Sequence, residues 1–313
     1  MRHGRGRFVA GFLAAPLAVY LIFMIWPYVQ TLMYSFTSWG GFSNEAPFAG
    51  LDNYRQLLSD DTFQAALLHN VFFLVALPLV TILLALFFAF LLNVGGRGNR
   101  AGVRGVFGSS VYKVIFFFPQ VLSVAIIVIL WDALYRTDGQ GLINFLLIKL
   151  HLVDPNHPLQ FVNDPTPFLG VPKVLWWILI VVVWANVGFY LVLFSAAMQS
   201  ISKDIYEAAM LDGATRVHTF FRITLPLLRD SVSVAWVYIG FVALDMFVWI
   251  FALTPQQGGP NHASEVFATV LWREAFTRGQ FGYACAMGVA MAIFTLILGA
   301  IQLTATRRER IEL

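Results

Sequence analysis

The chain has 313 residues, of which 59% are hydrophobic and only 12% are charged. This balance excludes an ordinary soluble domain, in which about a quarter of the residues are charged. Several apolar runs approach the ~20 residues that a helix needs to cross ~30 Å of hydrocarbon, so the composition predicts an all-α integral membrane protein. The single cysteine, Cys285, excludes an intrachain disulfide and a cysteine metal cluster.

Six transmembrane spans are predicted. They cover residues 8–33, 68–92, 112–131, 174–198, 232–253 and 283–303. The first run is too long for a cleaved signal peptide, and Pro16 and Pro27 are expected to bend or end it. Lys113, at the start of the third span, is expected to reach the interface rather than bind a partner. The polar segment 132–173 contains no run long enough to cross, and a short amphipathic helix is expected at 142–150.

Basic residues indicate which side of the membrane each connection occupies. With six spans, fourteen of the 20 Lys and Arg residues fall on the side of both termini, including those of the 97–104 connection. This asymmetry places both termini in the cytoplasm. The basic residues are scattered among short loops, so no nucleic-acid partner is expected.

A charged stretch between the fourth and fifth spans predicts two short cytoplasmic helices. Ser202 and Thr215 are plausible N-caps, because their hydroxyls can accept a backbone hydrogen bond. Gly213 lies where the first helix should end, since glycine adopts the left-handed conformation without strain. Pro226 is expected to end the second helix and turn the chain back to the membrane.

This stretch resembles the EAA loop of permease subunits in ABC importers. The family pattern has a Glu-Ala-Ala triplet, a glycine six positions after the glutamate, an isoleucine and a Leu-Pro pair. The matching residues are Glu207, Ala208, Ala209, Gly213, Ile223, Leu225 and Pro226, and Asp212 matches the carbohydrate-importing branch. Many relatives carry a proline shortly before the triplet, where this chain has Ser202, Lys203 and Asp204.

The resemblance covers nearly the whole chain and looks like the maltose-type permease family. It includes the Leu-x-Asn-Tyr element at 51–54, Gly188, and the Glu-Ala-Phe and Gly-Tyr-Ala triplets at 274–276 and 282–284. Residues 117–123 and the arginine-rich tail resemble, more narrowly, permeases of N-acetylglucosamine and chitobiose importers. Relatives often carry Phe-Asp late in the fifth span, where this chain has Phe247 and Val248.

The resemblance implies the type I ABC importer permease fold and a set of partners. These are a second, different permease subunit, two ATP-binding subunits that dock on the EAA loop, and an extracytoplasmic solute-binding protein. ATP and magnesium are expected on the ATP-binding subunits, and no cofactor or metal on this chain. The sequence also lacks the phosphate-binding Gly-rich motif and the hydrolase motifs, so it is not expected to be an enzyme.

Polar residues inside the spans are candidates for a substrate pathway. Asp245 is an acidic residue deep in an apolar run, and such residues face either a wet cavity or a neighbouring helix. Asn186 and Tyr190 lie one helical turn apart, so they share a face that either lines a sugar pathway or joins helices.

The predicted function is a permease for an oligosaccharide or amino sugar, with N-acetylglucosamine or chitobiose as the specific expectation. The alternatives are a permease for another solute such as glycerol phosphate, and an ion-coupled carrier that uses Asp245. We expect an N-terminal helix with its outer loop at 1–67, a transporter core at 68–305 containing the EAA loop at 202–228, and a cytoplasmic tail at 306–313.

Overall fold

The structure is a computed structural model that describes residues 2–94, 106–138 and 141–306. The chain divides into two compact units. The first comprises Met1–Gln64 and Phe267–Leu313, and the second comprises Ala65–Val266. The arginines of the 97–104 connection and of the tail, on which the predicted sidedness partly rests, lie outside the described residues.

The described part of the chain is almost entirely helical. The helices are α1 (Arg2–Tyr20), α2 (Trp26–Tyr34), α3 (Asp52–Ser59), α4 (Asp61–Val94), α5 (Ser109–Val121), α6 (Val124–Tyr135), α7 (Leu142–Lys149), α8 (Lys173–Gln199), α9 (Lys203–Leu211), α10 (Arg216–Thr219), α11 (Leu225–Leu227), α12 (Arg229–Leu244), α13 (Phe247–Leu253), α14 (Phe267–Trp272) and α15 (Phe281–Thr306). A two-stranded antiparallel hairpin pairs β1 (Pro167–Phe168) with β2 (Val171–Pro172). Wide π-helical turns lie at Leu21–Ile25, Phe220–Thr224 and Arg273–Thr277, and 3-10 turns at Pro255–Gln257 and Pro260–His262.

Four helices are long and apolar enough to cross a membrane. They occupy Gly11–Tyr34, Asp61–Asn93, Lys173–Gln199 and Phe281–Ile301. Two bent helix pairs bring the number of candidate spans to six if each pair is one span. The predicted helical membrane fold is therefore confirmed, with four to six candidate spans among the described residues.

The predicted third span is broken rather than straight. Helices α5 and α6 meet at a bend of 100°. Leu122 has an extended backbone with ψ of 143°, and the Ser123 side chain accepts a hydrogen bond from the Ile126 N–H of the next helix. Pro119, which cannot donate a helical hydrogen bond, lies one turn before the break.

The predicted fifth span is also broken. Helix α12 ends at Leu244, Asp245 adopts a φ of −97° and a ψ of 64°, and α13 begins at Phe247. The acidic residue singled out in the sequence thus lies at a point where the helix unwinds.

In the first unit, residues of the family-like motifs join the helix ends. The Asn53 amide donates 2.8 Å hydrogen bonds to the Ser35 and Thr37 carbonyls beyond α2. Helix α15 passes so close that a Cβ on Gly282 would lie 2.0 Å from the Thr37 oxygen. The Tyr283 hydroxyl donates to Asp60 at 2.8 Å. These contacts give the motifs a structural reason: Asn53 satisfies carbonyls beyond α2, Gly282 permits a close approach, and Tyr283 binds the carboxylate of Asp60.

The second unit is organised around α8. Sixteen residues of this helix are buried, and its apolar side chains form a large part of one core with α4, α6, α12 and α13. Helix α5 packs closely on α8 at Gly188, where a Cβ would lie 1.9 Å from the Phe116 carbonyl oxygen. Glycine is therefore required at this position for the observed distance between the two helices.

Candidate functional site

The charged stretch after α8 forms two helices, beginning with α9. Ser202 caps α9, because its hydroxyl accepts a 3.3 Å hydrogen bond from the Asp204 N–H. Gly213 ends the helix with a φ of +77°. The Gly213 N–H donates to the Met210 oxygen and the Ala214 N–H to the Ala209 oxygen, the pair of bonds that defines a Schellman C-cap. Both ends of α9 therefore lie where the sequence predicts them.

The second helix is longer than predicted and does not end at Pro226. The Thr215 hydroxyl accepts from the His218 N–H, as expected for an N-cap. The helix then widens into the π-helical turn Phe220–Thr224 and continues as α11. Pro226 lies directly after the π-helical turn, at the start of α11, and does not end the helix. The chain bends by 71° only between Leu227 and Arg229.

Two contacts hold these helices in place, and the first of them was not predicted from the sequence. Tyr206 on α9 is buried, and its hydroxyl shares a 3.2 Å hydrogen bond with Thr224. Burial raises the pKa of the Tyr206 hydroxyl, and the bond to Thr224 offsets part of that rise. The rings of Phe220 and Phe90, on α4, lie 4.8 Å apart. The two helices of the loop are thus attached to each other, and the second helix is attached to α4.

The residues predicted to couple this loop to a partner differ in their exposure. Ala209 is buried against the protein, whereas Ala208, Asp212, Gly213 and Pro226 are exposed. Partial exposure is shared by the remaining members of the predicted set, Glu207, Ile223 and Leu225. The helices place these side chains on a common loop.

An apolar surface covers the outer side of the loop. Leu211 is 89% exposed, and four other large apolar side chains on α9 and the second helix are exposed with it. They are Ile205, Met210, Val217 and Phe221. Large apolar side chains exposed on a loop are typical of a surface that another protein covers. Phe221 belongs to this surface.

A polar network joins three helices of the second unit near the same end of α8. The Lys113 amine donates to the Asn93 carbonyl oxygen at 2.9 Å, and the Asn93 amide donates to the Ser195 hydroxyl at 2.9 Å. Lys113 therefore binds a partner within the chain, contrary to the prediction for its side chain. The network connects α4, α5 and α8.

A cavity of about 600 Å³ lies where the broken helices face α8. Its wall is formed by the end of α5, the start of α6, the middle of α8, the end of α12, and α13. Seven of the lining residues are apolar, and the others are Gln120, Asn186, Asp245 and Trp249. A mostly apolar cavity with a few polar groups has the general character of a small-molecule site.

Two of the three predicted pathway residues line this cavity. Asn186 and Asp245 are brought together there from α8 and from the α12–α13 break. Tyr190 is buried in the core and is not among the lining residues, so helical spacing alone gave the wrong neighbour for Asn186. Gln120 and Trp249 were missed. Pro119 before Gln120 was the one sequence signal for the bend that exposes it.

The described part of the chain holds no group of three or more His, Cys, Asp or Glu side chains placed to bind a metal ion. The candidate site consists of the 202–228 loop and the cavity, and both belong to the second unit.

Comparison with known families agrees with this architecture. Residues 48–311 match the family described as binding-protein-dependent transport system inner membrane component. The chain belongs to this family: it is an ABC importer permease and a multi-pass protein of the cytoplasmic membrane.

Individual relatives cover almost the full chain. It is 40% identical over 304 residues to the diacetylchitobiose uptake system permease protein NgcF of Streptomyces coelicolor, covering 97% of this chain and 83% of that protein. It is 30% identical over 300 residues to the sn-glycerol-3-phosphate transport system permease protein UgpA of Escherichia coli, covering 95% and 94% of the two chains. The fold matches a chain of a bacterial ABC transporter that imports the acidic polysaccharide alginate, with a TM-score of 0.77 at 20% identity and coverage of 97% and 96%.

Proposed function

We propose that this chain is one of two different permease subunits of an ATP-driven sugar importer. It forms half of the translocation pathway, and the 202–228 loop couples it to ATP-binding subunits. The observation that carries this proposal is the loop itself, with both helices capped, its inner side attached through Tyr206 and Phe220, and its outer side apolar. Such an element has a preformed backbone, so docking costs little ordering entropy.

In this mechanism ATP and magnesium bind the ATP-binding subunits, which carry out hydrolysis. Closure of those subunits displaces the docked loop, and the Phe220–Phe90 contact passes the displacement to α4. The Lys113–Asn93–Ser195 network then moves α4, α5 and α8 together. A solute-binding protein delivers the solute on the other side. Rigid-body movement of such packed helices is a common way to alternate access.

The substrate is proposed to be an oligosaccharide or amino sugar, with chitobiose and N-acetylglucosamine as the first to test. Support comes from the similarity to NgcF. Glycerol phosphate is the competing solute, because UgpA is also similar over nearly the whole chain.

The coupling proposal is tested by charging the apolar surface of the loop. The whole assembly is reconstituted in proteoliposomes, and uptake of labelled chitobiose, N-acetylglucosamine and glycerol phosphate is measured with and without ATP. Leu211→Asp places a charge on the apolar docking surface. We expect ATP-dependent uptake to fall at least about tenfold, because a loss of ~1.4 kcal/mol in docking free energy weakens binding tenfold. Co-purification of the ATP-binding subunits should fall with it.

The matched control is Leu169→Asp, at the tip of the β1–β2 hairpin, where Leu169 is 78% exposed. This variant should couple normally. Unchanged uptake with Leu211→Asp, or uptake that proceeds without ATP-binding subunits, would contradict the coupling role and favour an ion-coupled carrier. If coupling holds and only glycerol phosphate moves, the sugar assignment alone fails.

A further inference from the structure

The cavity carries one formal charge. Among the residues of the described chain that line it, Asp245 is the only charged one, and none is Lys, Arg or His. Asp245 is exposed, and it lies in the unwound segment between α12 and α13. Unwound segments of membrane helices are tolerated where they line a water-filled cavity, and they are typical of transport sites.

Helix ends do not cancel this charge. Helices α5 and α12 end at the cavity with their partially negative carbonyl termini, whereas α6 and α13 begin there with partially positive termini. Two ends of each sign largely offset one another. The Ser123 hydroxyl further reduces the positive end of α6, because it accepts one of its N–H groups. Among the groups that this chain contributes to the cavity wall, the full charge of Asp245 therefore decides the sign of the potential.

The remaining polar groups are neutral. Asn186 donates its amide to the Val182 oxygen at 2.8 Å, which fixes the side chain and leaves its carbonyl oxygen to accept hydrogen bonds. Gln120 is exposed and offers both a donor and an acceptor, and the indole of Trp249 adds an aromatic surface. Amides, a carboxylate and an aromatic ring suit a polyhydroxylated neutral solute, since hydroxyls donate to the first two and sugar rings pack on the third.

We propose that Asp245 makes this cavity charge-selective, so that it admits neutral or cationic sugars, including N-acetylated and amino sugars, and disfavours phosphates and uronates. The inference rests on the proposed function and deepens it. It assigns the preference for a sugar over glycerol phosphate to a single residue of this chain. An anion that enters must come within ~8 Å of this carboxylate, the Debye length at physiological salt, and repulsion between two like charges is not fully screened at such distances.

The test measures charge inside the cavity without using transport. Because Cys285 is the only cysteine, Cys285→Ala provides a cysteine-free chain within the full assembly. Gln120→Cys then reports on the cavity. Its modification rate is measured with two methanethiosulfonates of similar size, one ending in a sulfonate and one in a quaternary ammonium. The ratio of the anionic to the cationic rate cancels differences in thiol reactivity.

We expect Asp245→Asn to raise this ratio about tenfold, the factor that ~1.4 kcal/mol corresponds to, whereas Asp245→Glu should leave it low. At Leu169→Cys, away from the cavity, Asp245→Asn should not change the ratio. Phe241→Cys, also exposed on the cavity wall, serves as a second reporter if Gln120→Cys fails to assemble.

An unchanged ratio at both reporters would overturn the proposal, because it would mean that another charge dominates the cavity. A reporter that neither reagent reaches would overturn it too, because the cavity would then be closed to solutes. The modification rates at both reporter cysteines are measured without ATP and without sugar. A failure of the proposed function in the uptake assay is therefore distinguished from a failure of the charge selectivity.

Discussion

Helix α8 runs unbroken for 27 residues, whereas both segments that share the cavity with it are interrupted at the cavity wall. The α5–α6 segment bends by 100° at Leu122 and Ser123, and the α12–α13 segment unwinds at Asp245. All three are strongly apolar, so hydropathy does not separate them. The unbroken helix is buried along most of its length, whereas a proline and a capping serine mark the break between α5 and α6, and neither marks the break at Asp245.

The largest effect is expected where the unbroken helix meets α5. Gly188→Ala places a Cβ 1.9 Å from the Phe116 oxygen, and the neighbouring atoms are backbone atoms that cannot turn aside. Forcing the helices apart should destabilise the chain by about 3 kcal/mol. The thermal midpoint of the purified assembly should fall, and uptake should be lost with it.

Gly240→Ala on α12 is the matched control for this change. A Cβ there would meet Leu74 at an ordinary 3.8 Å, and alanine is favoured over glycine inside a helix by about 0.5–1 kcal/mol. Equal midpoints for the two variants would show that close approach at Gly188 does not hold α8 and α5 together.

An intermediate effect is expected at the polar network. Lys113→Met removes the donor to Asn93, whose carbonyl oxygen is left without that 2.9 Å bond. The expected cost is about 1–3 kcal/mol, measured as a lower thermal midpoint. Because the network links α4, α5 and α8, ATP hydrolysis should also continue with less uptake per ATP.

Lys149→Met on α7 makes the same substitution at an exposed site and should leave both quantities unchanged. If uptake per ATP stays normal in Lys113→Met, the network stabilises the fold without transmitting movement.

The smallest effect is expected at the break itself. Ser123→Ala removes the acceptor for the Ile126 N–H at the start of α6, a bond of 3.4 Å. Loss of such a cap costs about 1 kcal/mol, so the thermal midpoint should fall slightly. Ser123→Asn, which keeps a capping oxygen, should restore it. A neutral effect of both changes would show that the break is held by packing alone.

Local patterns predicted the helix caps of the 202–228 loop well. Ser202, Gly213 and Thr215 cap helix ends that lie within a few residues of them in the sequence. Their capping roles can therefore be predicted from the local sequence. The spans at 174–198 and 283–303 likewise lie within the observed α8 and α15. The second span was predicted too short. Helix α4 begins at Asp61, because Asp60 caps it by accepting from the Thr62 and Phe63 N–H groups.

Only some of the polar residues that line the cavity could be predicted from the sequence. Asp245 stands out because a carboxylate in an apolar run is costly, and Asn186 because an amide is. Neither feature reveals that the chain unwinds at Asp245, since its flanking residues Leu244 and Met246 would suit a continuous helix. Gln120 and Trp249 reach the cavity only through the bends. Such residues cannot be found from periodicity, because a bend resets the direction of every side chain after it.

The π-helical turns of the described residues have a consequence for mutational scanning. Each widened turn, at Leu21–Ile25, Phe220–Thr224 and Arg273–Thr277, inserts one residue relative to an α-helix and so shifts the side chains beyond it by about 100°. A scan through 216–227 will therefore show a helical periodicity whose phase slips between its two halves. If the effects of substitutions at Val217, Leu227 and the residues between them are plotted on a single helical wheel, the shift would hide the periodicity. The two halves of the helix should therefore be plotted separately, because each half has its own face.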